Sequence, residues 1–433
     1  MPAAFGITST VKDKRLVILF AALLVAPRPA GSAGGPDGLE LKYVVIVSRH
    51  GVRSPTWDNA RLNAYSAEPW PDWGVLPGNL TPHGRKLIQI MGAYYHEWLT
   101  RDGLLRSDGC DDAGRIHIRA DRDERTLETG RAFAESLLAG RCRIDVQAET
   151  DGKADPLFSG AGTPDSARAL EAVRERLGEN PQQLIGRYQA ALDTLESIVR
   201  IKKEAAARVG VAPKGRWIEL TGPFALGSTF SENLLLEYVD GMEGPDLGWG
   251  RLTREGLYRV LEIHALYADF MRRTPYLARA RGSNLLSHIL RSLEQAAAGR
   301  SVPGALGRPG DLLLVLVGHD TNLSNLSGML GLSWNLTGYQ PDDTPPGGAM
   351  IFSLWRERSS GQYSLRLRYV AQTLEQMRNS EPLSLTMPPE GQDLTLPGCN
   401  GTGCAWQVAR QSLQRAIDPD FVEAGASERP TSR

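Results

Sequence analysis

No stretch of this 433-residue chain is apolar for long enough to cross a bilayer. The longest candidate, residues 16–26, runs for eleven residues, and a spanning helix needs about 20. Its flanks give it another meaning. Lys12, Lys14 and Arg15 precede it and the small residues Gly31, Ser32 and Ala33 follow, which is the three-part order of a secretory signal peptide. Residues 1–33 are therefore expected to be removed, leaving no membrane segment. A dominant charge is also missing. Lys and Arg number 49 against 50 Asp and Glu, a net charge of -1 that becomes -4 without residues 1–33. Neither value carries the electrostatic footprint of a nucleic-acid or membrane-surface binder. Any anion site must be local.

Histidine is scarce, at seven residues. His83, His96, His117, His264 and His288 show no ligand spacing and read as structural, so no metal or cofactor is expected. The four cysteines allow three pairings. Cys399 and Cys404 are close in sequence, and Cys110 and Cys142 bracket one strand–helix unit, so two local bridges are expected after export. No internal repeat is present.

What is there reads as an α/β protein. Residues 41–47 and 312–317 are near-continuous apolar runs, the pattern of strands buried on both faces of a parallel sheet. Leu87, Ile90, Met91, Tyr94, Tyr95 and Trp98 follow helical spacing behind a Thr81-Pro82 start, and residues 116–120 read as a strand entering a helix near Glu124. That alternation implies a parallel-centred sheet flanked by helices. From about 164 to 273 Ala, Leu, Arg and Glu dominate, and helices are expected near 165–177, 180–208, 228–239 and 252–272. The organisation expected is an α/β domain, 34–155 and 274–433, with a mostly helical insertion at 156–273. Strands near 350–356 and 363–370 should form a hairpin closing the sheet edge, and residues past about 426 are polar and read as a disordered tail.

The chemistry-bearing residues gather at the ends of the two most buried strands. The first runs into Ser48-Arg49-His50-Gly51-Val52-Arg53-Ser54-Pro55-Thr56, the second into Gly318-His319-Asp320-Thr321-Asn322. Open α/β sheets bind ligands outside such carboxyl ends. A phosphoryl group in transfer spreads charge over three oxygens and calls for several fixed cationic donors. Arg49 and Arg53 can supply two, Arg125 of the 121–126 segment a third and His319 a fourth. His50 between arginines is a candidate nucleophile and Asp320 a candidate proton donor, the role a raised-pKa acid fills, although nearby arginine charge is expected to lower the pKa of both groups and favour an acid optimum. A solvated basic loop and a capped helix start are the bland readings of these two segments taken alone.

Taken together, 44–56, 123–126, 248–251, 318–322, 344–348 and 372–378 resemble, in order, the histidine acid phosphatases of branch 2 of the histidine phosphatase superfamily. The resemblance implies a phosphoglycerate-mutase-like α/β domain with a helical domain over the site. It also implies phosphate-ester hydrolysis through a phosphohistidine on His50, with Asp320 as proton donor and Arg49, Arg53, Arg125 and His319 on the phosphate. A periplasmic or secreted enzyme acting on a small phosphate ester is expected, similar to bacterial phytases and, as the alternative, glucose-1-phosphatases or broad acid phosphatases. A mutase or a non-catalytic phosphate binder would be other classes. The resemblance also implies the pairs Cys110–Cys142 and Cys399–Cys404. Thr56, Trp57, Glu232 and Arg281 fall on pocket positions of those phytases, but Trp57 stands where they carry Lys and Thr229 where they carry Met. One cationic contact to a polyphosphorylated ring is therefore expected to be lost.

Overall fold

The computed structural model describes residues 38–106, 110–140, 142–202, 208–401 and 403–423; the expected signal peptide and tail lie outside them. Ten strands occur among the described residues: β1 Leu39–Arg49, β2 Ile116–Ala120, β3 Val146–Gln147, β4 Gly210–Lys214, β5 Trp217–Thr221, β6 Leu313–Gly318, β7 Ala349–Glu357, β8 Tyr363–Ala371, β9 Glu390–Leu394 and β10 Cys404–Ala405. The main sheet has the order β10-β8-β7-β1-β6-β2-β3, with β9 also on β8. β1, β6, β2 and β3 are parallel, and β7 to β10 are antiparallel. The two apolar runs read from the sequence are the adjacent central strands β1 and β6, in register from Val44 opposite Leu313 to Arg49 opposite Gly318. Both are buried along their paired length because each has neighbours on both edges and cover on both faces.

The hairpin of β7 and β8 forms, but it does not close the edge. β7 pairs with β1 and is buried from Ala349 to Trp355. β9 and β10 lie along the far side of β8. β10 is only two residues long, and β9 buries a single apolar residue, Leu394, so neither leaves a periodic apolar signal in the sequence.

One face of the sheet is covered by the helices Pro82–Arg101 and Glu124–Ser136 through Ile88, Met91, Tyr95 and Phe133. Thr81 caps the first, accepting from Gly84 N–H with Pro82 in the first turn. The other face packs in one apolar cluster with the helices Pro223–Val239, Arg254–Arg272, Pro275–Ala298 and Asp320–Leu330. The expected helix at 180–208 differs. Gln183–Arg187 and Gln189–Val199 are separate, and the second ends at Arg200 in a left-handed conformation. Ile201 then bridges to Ser66, and β4 and β5 form a hairpin. The helix stops at a non-glycine residue, without the usual sequence marker. Both expected disulfides are present, Cys110–Cys142 and Cys399–Cys404.

Candidate active site

β1 and β6 end side by side, so the segments that follow them meet. His50 N–H donates to Gly318 O at 2.9 Å, Arg49 N–H to Gly348 O at 2.9 Å, and Gly347 N–H to His50 O at 3.0 Å. These bonds fix the backbone around His50 from three segments. Gly51 is required for the fit: a Cβ there would lie 2.9 Å from Ile88 Cγ1 and 3.0 Å from Gly84 O on the Pro82–Arg101 helix.

His50 is buried, with its Nδ1 2.8 Å from Gly51 O. A carbonyl only accepts, so Nδ1 carries the proton and Nε2 keeps its lone pair. Burial, then the charges of Arg49, Arg125, Arg53 and His319, hold this ring well below the usual histidine range. A neutral imidazole at acid pH is the result.

Four cationic or donor groups surround it. Arg49 donates to Thr344 O at 2.6 Å and pairs with Glu232, which also holds Arg53 at 3.2 Å. Burial pushes the Glu232 carboxyl up, but Arg53 and Arg49 outweigh it and hold it at about 2. The buried Nε groups of Arg49, Arg53 and Arg125 have no protein partner. Arg125, in the first turn of the Glu124–Ser136 helix, pairs with Asp123 at 2.5 Å and approaches His319 Nδ1 at 3.4 Å. His319 Nε2 lies 2.7 Å from Asp121, and its ring meets that of His50 edge-on at 5.6 Å between centroids.

His319 is the N-cap of the Asp320–Leu330 helix, and Asp320 is its first residue. One Asp320 oxygen accepts from Thr321 N–H at 2.7 Å; the other meets Arg272 Nη1 at 2.6 Å. Asp320 is therefore not a raised-pKa acid, and its shift has the direction expected from arginine neighbours. Burial does push its carboxyl up, but Arg272 first, then Arg49, His264 and His50, outweigh burial and hold it well below the ordinary carboxylate range.

Arg49, His50, Arg53, Arg125, His319 and Asp320 are thus brought together, as a site for an anion beside a free imidazole nitrogen. The outer residues divide. Glu232 is chiefly the tie between Arg49 and Arg53. Thr56 is exposed and does not border the cleft that reaches Glu232 and His264, a cavity of about 620 Å³ lined also by Trp57, Arg61, Lys214, Thr229 and Arg272. Arg281 lies over Trp217 at 3.9 Å and lines a neighbouring cavity of about 340 Å³ with His319 and Asp121. Trp57 itself carries no charge, but the Arg61 guanidinium sits 3.5 Å from its ring centroid, so a cation stands beside it on the cleft border.

Sequence reasoning missed Arg61, Arg272 and His264. Arg61 had a faint signal, four residues after Trp57, in the short helix Asn59–Asn63. Arg272 had none, because its partner is 48 positions away. His264, read as structural, contacts Ser228 at 3.1 Å and has a ring nitrogen within 4.8 Å of carboxylate oxygens of Glu232 and Asp320. A second such group is Asp121, Asp123 and His319. The carboxylates of both groups are already engaged by arginine or by His319.

Residues 40–167 and 229–370 match the family described as the histidine phosphatase superfamily (branch 2). The chain is 37% identical over 415 residues to phytase AppA of Escherichia coli K12, covering 89% of this chain and 93% of that protein. It is 28% identical over 407 residues to a glucose-1-phosphatase of Salmonella typhimurium, covering 90% and 95% respectively. Among solved structures, Hafnia alvei phytase in complex with tartrate superposes with a TM-score of 0.82 at 34% identity, over 90% of this chain and 100% of the other. The site at the ends of β1 and β6 and these similarities lead to one assignment: the chain belongs to branch 2 of the histidine phosphatase superfamily.

Proposed function

We propose that the protein is an acid phosphomonoesterase working through a phosphohistidine on His50. The observation that carries this reading is the tautomer of His50, whose Nδ1 is tied to Gly51 O, leaving Nε2 as a lone pair inside a ring of arginines. Arg49, Arg53, Arg125 and His319 hold the phosphoryl oxygens. The Nε2 lone pair forms the N–P bond as the P–O bond to the alcohol breaks, and Asp320 gives its proton to the departing oxygen. Water then attacks phosphorus, losing a proton to Asp320, and phosphate leaves with His50 restored.

Asp320 must be protonated before this cycle, although Arg272 holds it ionised in the free protein. Phosphate esters have a second pKa of about 6, so at acid pH they arrive as monoanions. Their negative charge opposes the Asp320 anion and their proton is available to it. An acid optimum follows.

The substrate reading is phytase-like. It rests on the similarity to the E. coli phytase and on a cleft whose border carries Arg61, Lys214 and Arg272, suited to a ring bearing several phosphates. Glucose-1-phosphatase activity is the second reading, favoured by the lower similarity to that enzyme. Export to the periplasm or medium is part of the proposal, as is the division into an α/β domain and a helical insertion at 156–273 roofing the cleft. Among the described residues no helix is long and apolar enough to cross a membrane.

Phosphate release from phytate, glucose 1-phosphate, a nucleotide and an aryl phosphate at pH 3 to 8 tests the reading, with His50→Ala alongside. Phytate should be preferred and the folded His50→Ala protein inactive. Near-normal turnover by that variant would overturn the role of His50.

A further inference from the structure

The mechanism above has Arg272 hold Asp320 ionised and border the cleft, but gives it no part in the steps themselves. Its guanidinium comes from the last turn of the Arg254–Arg272 helix and meets Asp320 at 2.6 Å, with both side chains 13% exposed. His264 lies two turns earlier on the same helix. The other charged or titratable groups around Asp320 are Arg49, His50 and Arg53 at the end of β1, and Glu232 from the Pro223–Val239 helix. Glu232 already engages Arg49 and Arg53. Arg272 therefore provides the direct ion pair to the Asp320 carboxylate.

Arg272 also borders the 620 Å³ cleft, together with Arg61 and Lys214. Lys214 is held by Glu219 at 2.5 Å, and Arg61 lies on Trp57. Arg272 thus stands between two places for an anion, the Asp320 carboxylate and the cleft. A planar guanidinium can present its paired donors to either, and phosphate oxygens suit that fork as well as a carboxylate does.

We propose that Arg272 is a specificity-determining residue for multiply phosphorylated substrates, clamping Asp320 until a second, non-scissile phosphate draws the guanidinium away and frees Asp320 to deliver the proton. A substrate with one phosphate occupies only the site at His50 and leaves the clamp in place. A substrate with several both gains a contact and releases the acid. The inference rests on the reading of Asp320 as proton donor.

The test uses the full-length protein with Arg272→Gln and Arg272→Lys, measuring kcat and KM against pH on phytate and on glucose 6-phosphate. These share basic alkoxide leaving groups and differ in phosphate number. In Arg272→Gln the KM for phytate should rise about tenfold relative to any change with glucose 6-phosphate, the scale of one charge-assisted hydrogen bond. The alkaline limb of kcat/KM for glucose 6-phosphate should move to higher pH, because Asp320 keeps its proton longer without the cation. Arg272→Lys should restore the limb but only part of the phytate KM, since an ammonium has no fork. Equal changes on both substrates with an unmoved limb would overturn the inference. If thermal melting shows the Gln variant unfolded, the Lys variant decides: a raised phytate KM supports the inference and an unchanged one overturns it. Wild-type protein that hydrolyses neither ester would instead sink the proposed function, on which the inference depends.

Discussion

A histidine that attacks phosphorus needs a lone pair at the working pH, and a carboxyl that protonates an alkoxide needs a proton at that same pH. In this site burial and arginine charge together lower His50, while for Asp320 burial raises the carboxyl and the charges of Arg272 and Arg49 outweigh it and lower it. For His50 that direction extends the neutral, reactive form to pH well below 6.5. For Asp320 it places the protonated form at acid pH, so activity should fall as pH rises. Asp320→Asn should therefore cost about 10²- to 10⁴-fold with sugar or inositol phosphates, the usual worth of a general acid, and far less with an aryl phosphate. Single-turnover phosphorylation with both ester classes measures it, and equal losses would give Asp320 a structural role only. Arg61 makes a second prediction. Arg61→Ala removes the cation stacked on Trp57 and should raise KM for phytate several-fold while leaving an aryl phosphate little changed. Trp57→Lys is less clean, because it adds one charge and takes the platform from under another.

At the scale of elements, the parts of the site that were legible are those where one strand delivers several residues in a row. Arg49, His50 and Arg53 leave β1 together, and His319 and Asp320 leave β6 together, so an apolar run followed by a polar segment announced both. Arg272 was not legible, since only the packing of the Arg254–Arg272 helix against the Asp320–Leu330 helix brings it to Asp320. The end of the Gln189–Val199 helix was hidden for another reason: Arg200 takes a left-handed conformation that sequences mark with Gly or Asn. The Pro223–Val239 helix carries its own prediction. Glu237 is buried, accepts from Gly248 N–H at 2.9 Å with one oxygen, and has no partner at the other. Burial raises its carboxyl to about 8. The folded state then holds a proton that the unfolded state, near 4.5, has released, so this group lowers stability as pH rises between about 4.5 and 8. Glu237→Gln should leave the melting temperature nearly unchanged at pH 4 and raise it at pH 8, by an effect on the order of a few kcal/mol at most. A rise of equal size at both values would contradict the assignment.

For the whole molecule, the ends of β1 and β6 meet side chains from two helices far off in sequence, Glu232 pairing with Arg49 and Arg53 and Arg272 with Asp320. Because arginines and His319 supply the positive charge, turnover should survive chelation. Complete loss with EDTA, restored by a divalent ion, would contradict this. The α/β class and the order of the central elements were readable from two apolar runs, while β10 was too short, and β9 too polar, to show a period. The most direct measurement is rapid-quench trapping of the phosphorylated protein during turnover of a labelled ester, followed by mapping of the label. The account predicts an acid-labile, alkali-stable phosphoryl group on His50, absent from His50→Ala. An acid-stable label on another residue, or no labelled protein during active turnover, would contradict it.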